Sequence, residues 1–198
     1  MEICRFLHSP AESVIGGRLG GYNGGVEFTL TNFRRADFET LWTIDQRCFP
    51  AGIAYSRREL NAYMRQSGSF TLVAESAKAT RKSLLADGAS RLIPTRVIVG
   101  FLVAAASRRG VGHVMTIDIL PEARRSGVGS KLLGAAEDRL RAAGCRIVYL
   151  ETAVDNQAAL AFYKRQQYFL VKTVPRYYAN GVDALVLEKN LLSAAQAS

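Results

Sequence analysis

The sequence predicts a mixed α/β domain in which helices flank a central, mostly antiparallel sheet. Short apolar segments typical of strands recur along the chain, and amphipathic stretches with helical spacing separate several of them. A complete helical pattern lies between segments 113–119 and 146–152, so these two strands can pair in parallel through a right-handed crossover. Other strands follow one another through turns, which favours antiparallel pairing.

Each element follows from the spacing of apolar residues. Strands are predicted at 26–30, 69–75, 96–105, 113–119, 146–152, 168–174 and 184–188. Helices are predicted at 38–48, 57–64, 132–143 and 157–165. Ser56 is a candidate N-cap of the second helix, and either Asp155 or Asn156 can cap the fourth. The polar segment 76–95 is predicted to be a long hairpin excursion between two strands.

The length of 198 residues is sufficient for one domain with its own core. Residues 1–27 contain the glycine-rich stretch 16–25, which buries too little apolar surface to offset the entropy of ordering it. We therefore predict a flexible leader at 1–27, a folded domain at 28–192 and a polar tail at 193–198.

Composition indicates a cytoplasmic protein that is not anchored in a membrane. No apolar run approaches the roughly 18 residues of a membrane span, and the first residues do not resemble a signal peptide. The three cysteines, Cys4, Cys48 and Cys145, are far apart and form no Cys-x-x-Cys pair. Neither a disulfide framework nor a metal site is indicated.

The formal net charge of +9 indicates anionic partners, for which nucleic acid, a phosphorylated cofactor and a protein surface such as the ribosome are the alternatives. Much of the excess lies in scattered pairs: Arg34-Arg35, Arg57-Arg58, Arg108-Arg109 and Arg124-Arg125. Without an RNA-binding aromatic signature, such pairs are more typical of a solvated face than of a nucleic-acid track. We therefore expect no direct nucleic-acid partner.

The strongest local signal is the stretch 117–133, where an apolar strand runs through a basic, glycine-containing turn into an amphipathic helix. A helix start leaves about four backbone N–H groups without helical partners and carries a partial positive charge, so phosphate binds there readily. Gly127 and Gly129 allow a ligand to approach the main chain, while Arg124, Arg125 and Lys131 add positive charge. The turn therefore predicts a site for a pyrophosphate.

Two common phosphate motifs do not match this turn. A P-loop requires Gly-Lys-Ser/Thr, whereas Gly129 is followed by Ser130 and Lys131. The dinucleotide fingerprint requires a third glycine where Leu132 stands. The remaining pattern, Arg124-x-x-Gly127-x-Gly129, resembles the acetyl-CoA signature of the GNAT acetyltransferase superfamily, although a basic turn with purely structural glycines is the alternative.

Four further features extend the resemblance over residues 28–190. With them the sequence is similar to the RimI-like branch, whose members acetylate protein N-terminal α-amines. They are Leu150-Glu151-Thr152, Asn156, Ala161-Phe162-Tyr163 and the segment from Pro175 to Ala184. The resemblance implies a GNAT fold in which the parallel strands 113–119 and 146–152 splay apart to admit pantetheine. It also implies acetyl-CoA as co-substrate and no metal.

The resemblance assigns residues to the acetyl donor. The main chain of Ile117, Asp118 and Ile119 would hold the acetyl and pantetheine amides, and Asn156 the pantetheine arm. The pyrophosphate would lie on the turn formed by Arg124, Arg125, Ser126, Gly127, Val128, Gly129 and Ser130. Asn156 can also be a plain helix cap, and both roles are compatible.

The resemblance also assigns the proton transfers. Glu151 would be the base that deprotonates the amine, directly or through water, and Tyr163 the acid that protonates the departing thiolate. The structural alternatives are a surface ion pair for Glu151 and a core aromatic for Tyr163. His8 and His113 have no nucleophilic partner that the sequence identifies.

The acceptor is the least determined part of the hypothesis. Phe49, Pro50, Tyr55, Tyr177 and Tyr178 could line a narrow peptide groove, or could simply pack the loops. The loop 51–54 lacks the acidic residue seen in some relatives, and the excursion 76–95 is longer than usual. We expect a protein N-terminus as acceptor, with a ribosomal protein as one option. A small amine as acceptor and a non-catalytic acyl-CoA-binding module are the alternatives.

Overall fold

The structure, a computed structural model, describes residues 5–6, 28–49, 53–84, 90–178 and 180–192. Pro50, most of the predicted leader and the predicted tail lie outside the described residues.

Within this described part, the chain forms four α-helices close to the predicted positions. They are α1 (Phe38–Cys48), α2 (Arg57–Arg65), α3 (Val128–Ala142) and α4 (Gln157–Arg165). The predicted cap of α2 is confirmed, because Ser56 Oγ accepts from the Glu59 N–H while the Glu59 carboxylate accepts from the Ser56 N–H. At α4 the cap is Asn156, whose side chain accepts from Ala159 N at 3.1 Å.

The strands of the described residues form one eight-stranded sheet. They are β1 (Arg5–Phe6), β2 (Phe28–Asn32), β3 (Ser69–Leu84), β4 (Ser90–Ala106), β5 (Val111–Ile119), β6 (Ile147–Ala153), β7 (Phe169–Val174) and β8 (Ala184–Asn190). Their order is β2-β3-β4-β5-β6-β8-β7, and β1 pairs with β5 outside this path. The pairing of β3 with β4 continues to the Leu84–Ser90 pair, so residues 76–84 and 90–95 of the predicted excursion extend two long, paired strands.

Helices cover the two faces of the sheet, and each face has its own core. On one face α3 and α4 contribute Leu132, Leu133 and Tyr163 to a buried cluster with strand residues such as Ile117. On the other face α1 and α2 bury Leu41 and Leu60 against the sheet in a second cluster. Burial on both faces explains why β5 is almost continuously buried from Gly112 to Ile119.

Strands β5 and β6 pair in parallel over only three residue pairs, Val111–Ile147, Gly112–Val148 and His113–Tyr149. Beyond this point β5 stays paired with β4 as far as Ile119, and β6 stays paired with β8 as far as Ala153. The two strands therefore diverge, and the predicted splay is present. We call this opening the β5–β6 gap.

A bulge adjoins the start of the β5–β6 gap. The β4–β5 register shifts between Val103–Thr116 and Ala104–Val114, which leaves Met115 as an extra residue in β5. Bulges bend a strand and change the direction of its side chains, and they are common beside active sites.

The short strand β1 lies along the edge of β5 that the gap exposes. Arg5 pairs with Thr116 and Phe6 with Ile117, both in parallel. The predicted leader therefore contributes a strand to the sheet at the place where β6 has separated from β5.

Candidate active site

A histidine and a glutamate meet where the β5–β6 gap begins. His113 belongs to the last β5–β6 pair, and Glu151 lies two residues beyond its partner Tyr149 on β6. His113 Nε2 is 2.9 Å from Glu151 Oε2, and both side chains are buried. The His113 ring also stacks on Tyr149, with centroids 4.3 Å apart and planes at 4°. The pair is therefore held in one orientation at the start of the gap.

Sequence reasoning missed the role of His113 because the register of a parallel pair cannot be read from the two strands separately. The predicted strands began at His113 and Arg146. In the structure His113 is opposite Tyr149, and its side chain reaches Glu151, two residues further along β6. A sequence signal for this contact would have required the register itself, which depends on how α3 packs across the two strands.

The start of α3 has the geometry expected of an anion site. Gly127 is the N-cap and has the left-handed φ of 90°. In the first backbone hydrogen bond of the helix, Lys131 N–H donates to the Gly127 carbonyl. The backbone N–H groups before Lys131 therefore have no acceptor within the helix. A Cβ added at Gly127 would meet no atom within 4 Å, so the space beside this residue is open to a ligand.

Internal bonds hold the turn before α3 in shape. Arg124 Nε donates to the Ile119 carbonyl at 3.1 Å, and Ser126 Oγ donates to the Ala123 carbonyl at 2.7 Å. Arg125 is exposed and has a φ of 60°. Arg124 therefore ties the turn to the end of β5, while Arg125 is the arginine of this turn that faces solvent.

Two details qualify the predicted donor contacts. A Cβ at Gly129 would lie 3.2 Å from Ile119 Cδ1 and 3.4 Å from Phe162 Cε2, so this glycine allows close packing of α3 as well as ligand approach. The Ile119 carbonyl already accepts from Arg124 and from Cys48 Sγ at 3.3 Å. The contacts predicted for Ile117, Asp118 and Ile119 remain predictions, as do those of Val128 and Ser130.

Asn156 and Tyr163 are both buried. Asn156 is the cap of α4 and is 4 % exposed. Tyr163 is fully buried in the core cluster of α3 and α4, against Phe162 and Tyr168. The structure thus gives each residue a packing or capping role, and their contacts with a donor stay predictions.

The predicted acceptor residues lie in two loops. Phe49 and Tyr55 are buried in the α1–α2 core, and the Tyr55 N–H donates to buried Asp45 at 2.7 Å. Tyr177 and Tyr178 form an edge-to-face pair with centroids 5.3 Å apart in the β7–β8 connection. The Tyr55 ring, 1 % exposed, packs in the core, whereas Tyr177 is partly exposed. A groove between the two loops remains a prediction.

The two described cysteines are poor nucleophiles. Burial raises the pKa of the Cys48 thiol to about 12, with the nearby Asp118 carboxylate adding to the effect. Burial also raises the pKa of Cys145. Because the thiolate is the reactive form, neither described cysteine is suited to form an acyl-enzyme at neutral pH.

Two features are absent from the described residues. No cluster of three or more His, Cys, Asp or Glu side chains is arranged to hold a metal ion there. Among the described helices, none combines the length and apolar character needed to cross a membrane.

Comparison with known proteins identifies a family match. The model of the acetyltransferase (GNAT) family matches residues 38–168. A protein named N-alpha-acetyltransferase from Saccharolobus solfataricus is 28 % identical over 170 residues, which is 84 % of this chain and 95 % of that protein. N-alpha-acetyltransferase 30 of Schizosaccharomyces pombe is 40 % identical over 73 residues, which is 37 % of this chain and 49 % of that protein. The match thus spans about half the length of the fission yeast relative.

Among solved structures, Ard1 from Thermoplasma volcanium superposes with a TM-score of 0.68 at 23 % identity. The superposition covers 83 % of this chain and 98 % of that one. This likeness confirms the predicted fold, a mostly antiparallel sheet that contains the splayed parallel pair β5–β6.

Proposed function

Because this chain belongs to the acetyltransferase (GNAT) family, whose members use acetyl-CoA, we propose that it acetylates the α-amine of a protein N-terminus. The observation that carries the proposal is the buried His113–Glu151 pair where the β5–β6 gap begins. The names of the two matched relatives support a protein N-terminus as the acceptor. The RimI-like sequence features at Glu151, Asn156 and Tyr163 favour that branch.

On the donor side, we assign the diphosphate to the backbone N–H groups of residues 125–130. The left-handed Gly127, the open space beside it and the exposed Arg125 fit an anion at this helix start. Asn156 and the main chain of Ile117, Asp118 and Ile119 would then border the pantetheine arm in the β5–β6 gap.

In the chemical step, Glu151 removes a proton from the acceptor ammonium, and the neutral amine attacks the thioester carbonyl. His113 Nε2, 2.9 Å from the Glu151 carboxylate, orients this base and shares the proton. The new N–C bond forms as the C–S bond breaks, and Tyr163 protonates the departing thiolate. The second proton that the nitrogen loses as the amide forms then returns to the Tyr163 phenolate. The high thiol pKa of Cys48 favours this direct transfer over an acyl-cysteine route.

The acceptor would enter beside Phe49, Pro50, Tyr55, Tyr177 and Tyr178. Aromatic walls orient a main chain without requiring a particular charge, which fits an enzyme that reads the first residues of a protein. A ribosomal protein is one candidate acceptor. The scattered cysteines favour the reducing cytoplasm as the site of the reaction.

The test is an acetylation screen over peptides that begin with different residues, with free lysine and spermidine as small-amine controls. We expect acetyl-CoA-dependent acetylation of peptide α-amines and little transfer to the two controls. Glu151→Gln should remove most of the turnover and retain acetyl-CoA binding. Transfer to spermidine alone would contradict the proposed acceptor, and binding without any turnover would indicate a non-catalytic acyl-CoA-binding module.

A further inference from the structure

Among the described strands, β7 forms one edge of the sheet, and it exposes three consecutive apolar side chains. Phe169 is 69 % exposed, Leu170 is 59 % exposed and Val171 is 56 % exposed. Successive residues of a strand point to opposite faces, so this run is apolar on both faces. An exposed apolar edge strand is an attachment point for another extended chain.

The surface around β7 is positively charged. Lys172 lies within the strand, Lys164 and Arg165 end the preceding helix α4, and Arg176 follows the strand, all of them exposed. Neither α4 nor β7 contains an acidic residue. On the adjoining strand β8, the partly exposed Glu188 is opposite Phe169. A partner at this edge therefore meets apolar side chains bordered by cations.

These charges disfavour a second copy of this chain as the partner. In an antiparallel β7–β7 pair, the start of one strand adjoins the end of the other. Lys164 and Arg165 of one copy would then approach Arg176 of the other at both ends of the interface. The bulge at Val171, between the Leu170–Leu187 and Lys172–Val186 pairs, also opposes regular self-pairing.

We propose that the free edge of β7 binds an extended segment of another protein in which apolar and acidic residues alternate. Main-chain hydrogen bonds would add this segment to the sheet as a further strand. Its apolar side chains would cover Leu170 on one face of the sheet, and its carboxylates would pair on the other face with Lys172, which shares that face with Phe169, and with the flanking cations. The site lies on the outermost strand, separated from the β5–β6 gap by β8 and β6.

The experiment uses fluorescence anisotropy with the full-length chain and a labelled peptide in which glutamate alternates with leucine and valine. The peptide is acetylated at its N-terminus so that it cannot serve as an acceptor. We expect it to bind, and a peptide with lysine in place of glutamate to bind far more weakly. Leu170→Glu should weaken binding of the acidic peptide by about tenfold or more.

Leu192→Glu is the matched control, because Leu192 is also an exposed leucine, at 57 %, and lies outside β7. It should leave binding unchanged. Lys172→Glu should shift preference toward the lysine peptide, which tests charge recognition without removing an apolar contact. The melting temperature and the acetylation rate of each variant show whether it is folded.

Three results would overturn the proposal. One is absence of binding by the acidic peptide, and another is equal binding of the two peptides. The third is a concentration-dependent dimer in sedimentation that Leu170→Glu dissociates, which would assign the edge to a second copy. Each of these results is independent of whether the chain acetylates protein N-termini.

Discussion

His113 and Glu151 are 38 positions apart in the sequence and 2.9 Å apart in the fold. Neither residue alone distinguishes a catalytic base from an ordinary polar side chain. We propose Glu151 as the base because its contact with His113 is buried, is aligned by the Tyr149 ring and lies where the β5–β6 gap begins. The proposed mechanism therefore depends on the pair.

The first prediction concerns His113→Ala. We expect kcat to fall about 100-fold, because Glu151 loses the group that orients it and shares its proton. The affinity for acetyl-CoA, measured by calorimetry, should change by less than about twofold, since the proposed diphosphate site is on another element. An unchanged kcat in the folded variant would show that the pair is structural.

A second polar cluster, which is partly buried, has a structural role. Arg96 forms ion pairs with Asp37, which precedes α1, and with Glu75 on β3. The Arg96 guanidinium holds the pKa of both carboxyl groups below their ordinary values. Because the folded-state pKa is lowered, this stabilisation is fully present above the unfolded-state pKa and is lost as the pH falls through the folded-state pKa.

Asp37→Asn tests this second cluster. At neutral pH we expect a loss of about 2 kcal/mol in the free energy of unfolding, between the values for exposed and fully buried pairs. The difference from the parent protein should persist above about pH 5 and shrink as the pH falls below about 4, where the unfolded parent chain takes up protons before the folded carboxylates do. Urea unfolding at several pH values measures the difference in the free energy of unfolding. A difference that grows toward low pH would contradict a stabilising Asp37–Arg96 ion pair.

At the scale of elements, the turn from β5 into α3 combines two different glycine requirements. Gly127 needs its left-handed φ of 90°, whereas Gly129 is needed for close packing against Ile119 and Phe162. The sequence indicated both glycines but could not separate these reasons, because one is a backbone angle and the other a contact with distant elements.

Gly127→Ala, at the N-cap of α3, and Gly134→Ala, inside the helix, form a matched pair. The first should cost about 1 kcal/mol of stability, because alanine is strained in the left-handed region. It should also weaken acetyl-CoA binding, since its Cβ enters the space assigned to the diphosphate. The second should stabilise the protein by about 0.5–1 kcal/mol and leave binding unchanged, because Gly134 is within the helix and its Cβ would meet no atom within 4 Å. Thermal unfolding and calorimetry distinguish these outcomes, and equal effects would contradict the assignment.

At the scale of the whole molecule, the sheet divides into two wings that diverge beyond His113 and Tyr149. One wing, β2 to β5, has α1 and α2 packed on it, and the other contains β6, β8 and β7. Strand β1 occupies part of the edge between the wings. The proposed pantetheine site and β1 therefore compete for the same main-chain groups of β5.

Deletion of residues 1–27 tests this competition and the proposed boundary of the domain. We expect residues 28–198 to unfold in one cooperative transition. Their affinity for acetyl-CoA should increase about fivefold, because the ligand no longer has to displace β1 from β5. This factor corresponds to one net backbone hydrogen bond of about 1 kcal/mol. Deletion of residues 193–198 is the control and should leave the affinity unchanged. A lower affinity after the first deletion would show that the leader supports donor binding.

The sequence by itself determined the helices, nearly all of the strands, the parallel pair and the basic turn into α3, because these depend on local spacing and on residues close in the chain. It also indicated Glu151, through a resemblance carried by Leu150-Glu151-Thr152. The tertiary structure alone decided the register of β5 against β6, the partnership of His113 with Glu151, the burial of Tyr55 and the exposed edge of β7. These features depend on which distant segments pack together, and the free energy of that packing is distributed over the two cores and cannot be read from any single stretch of residues.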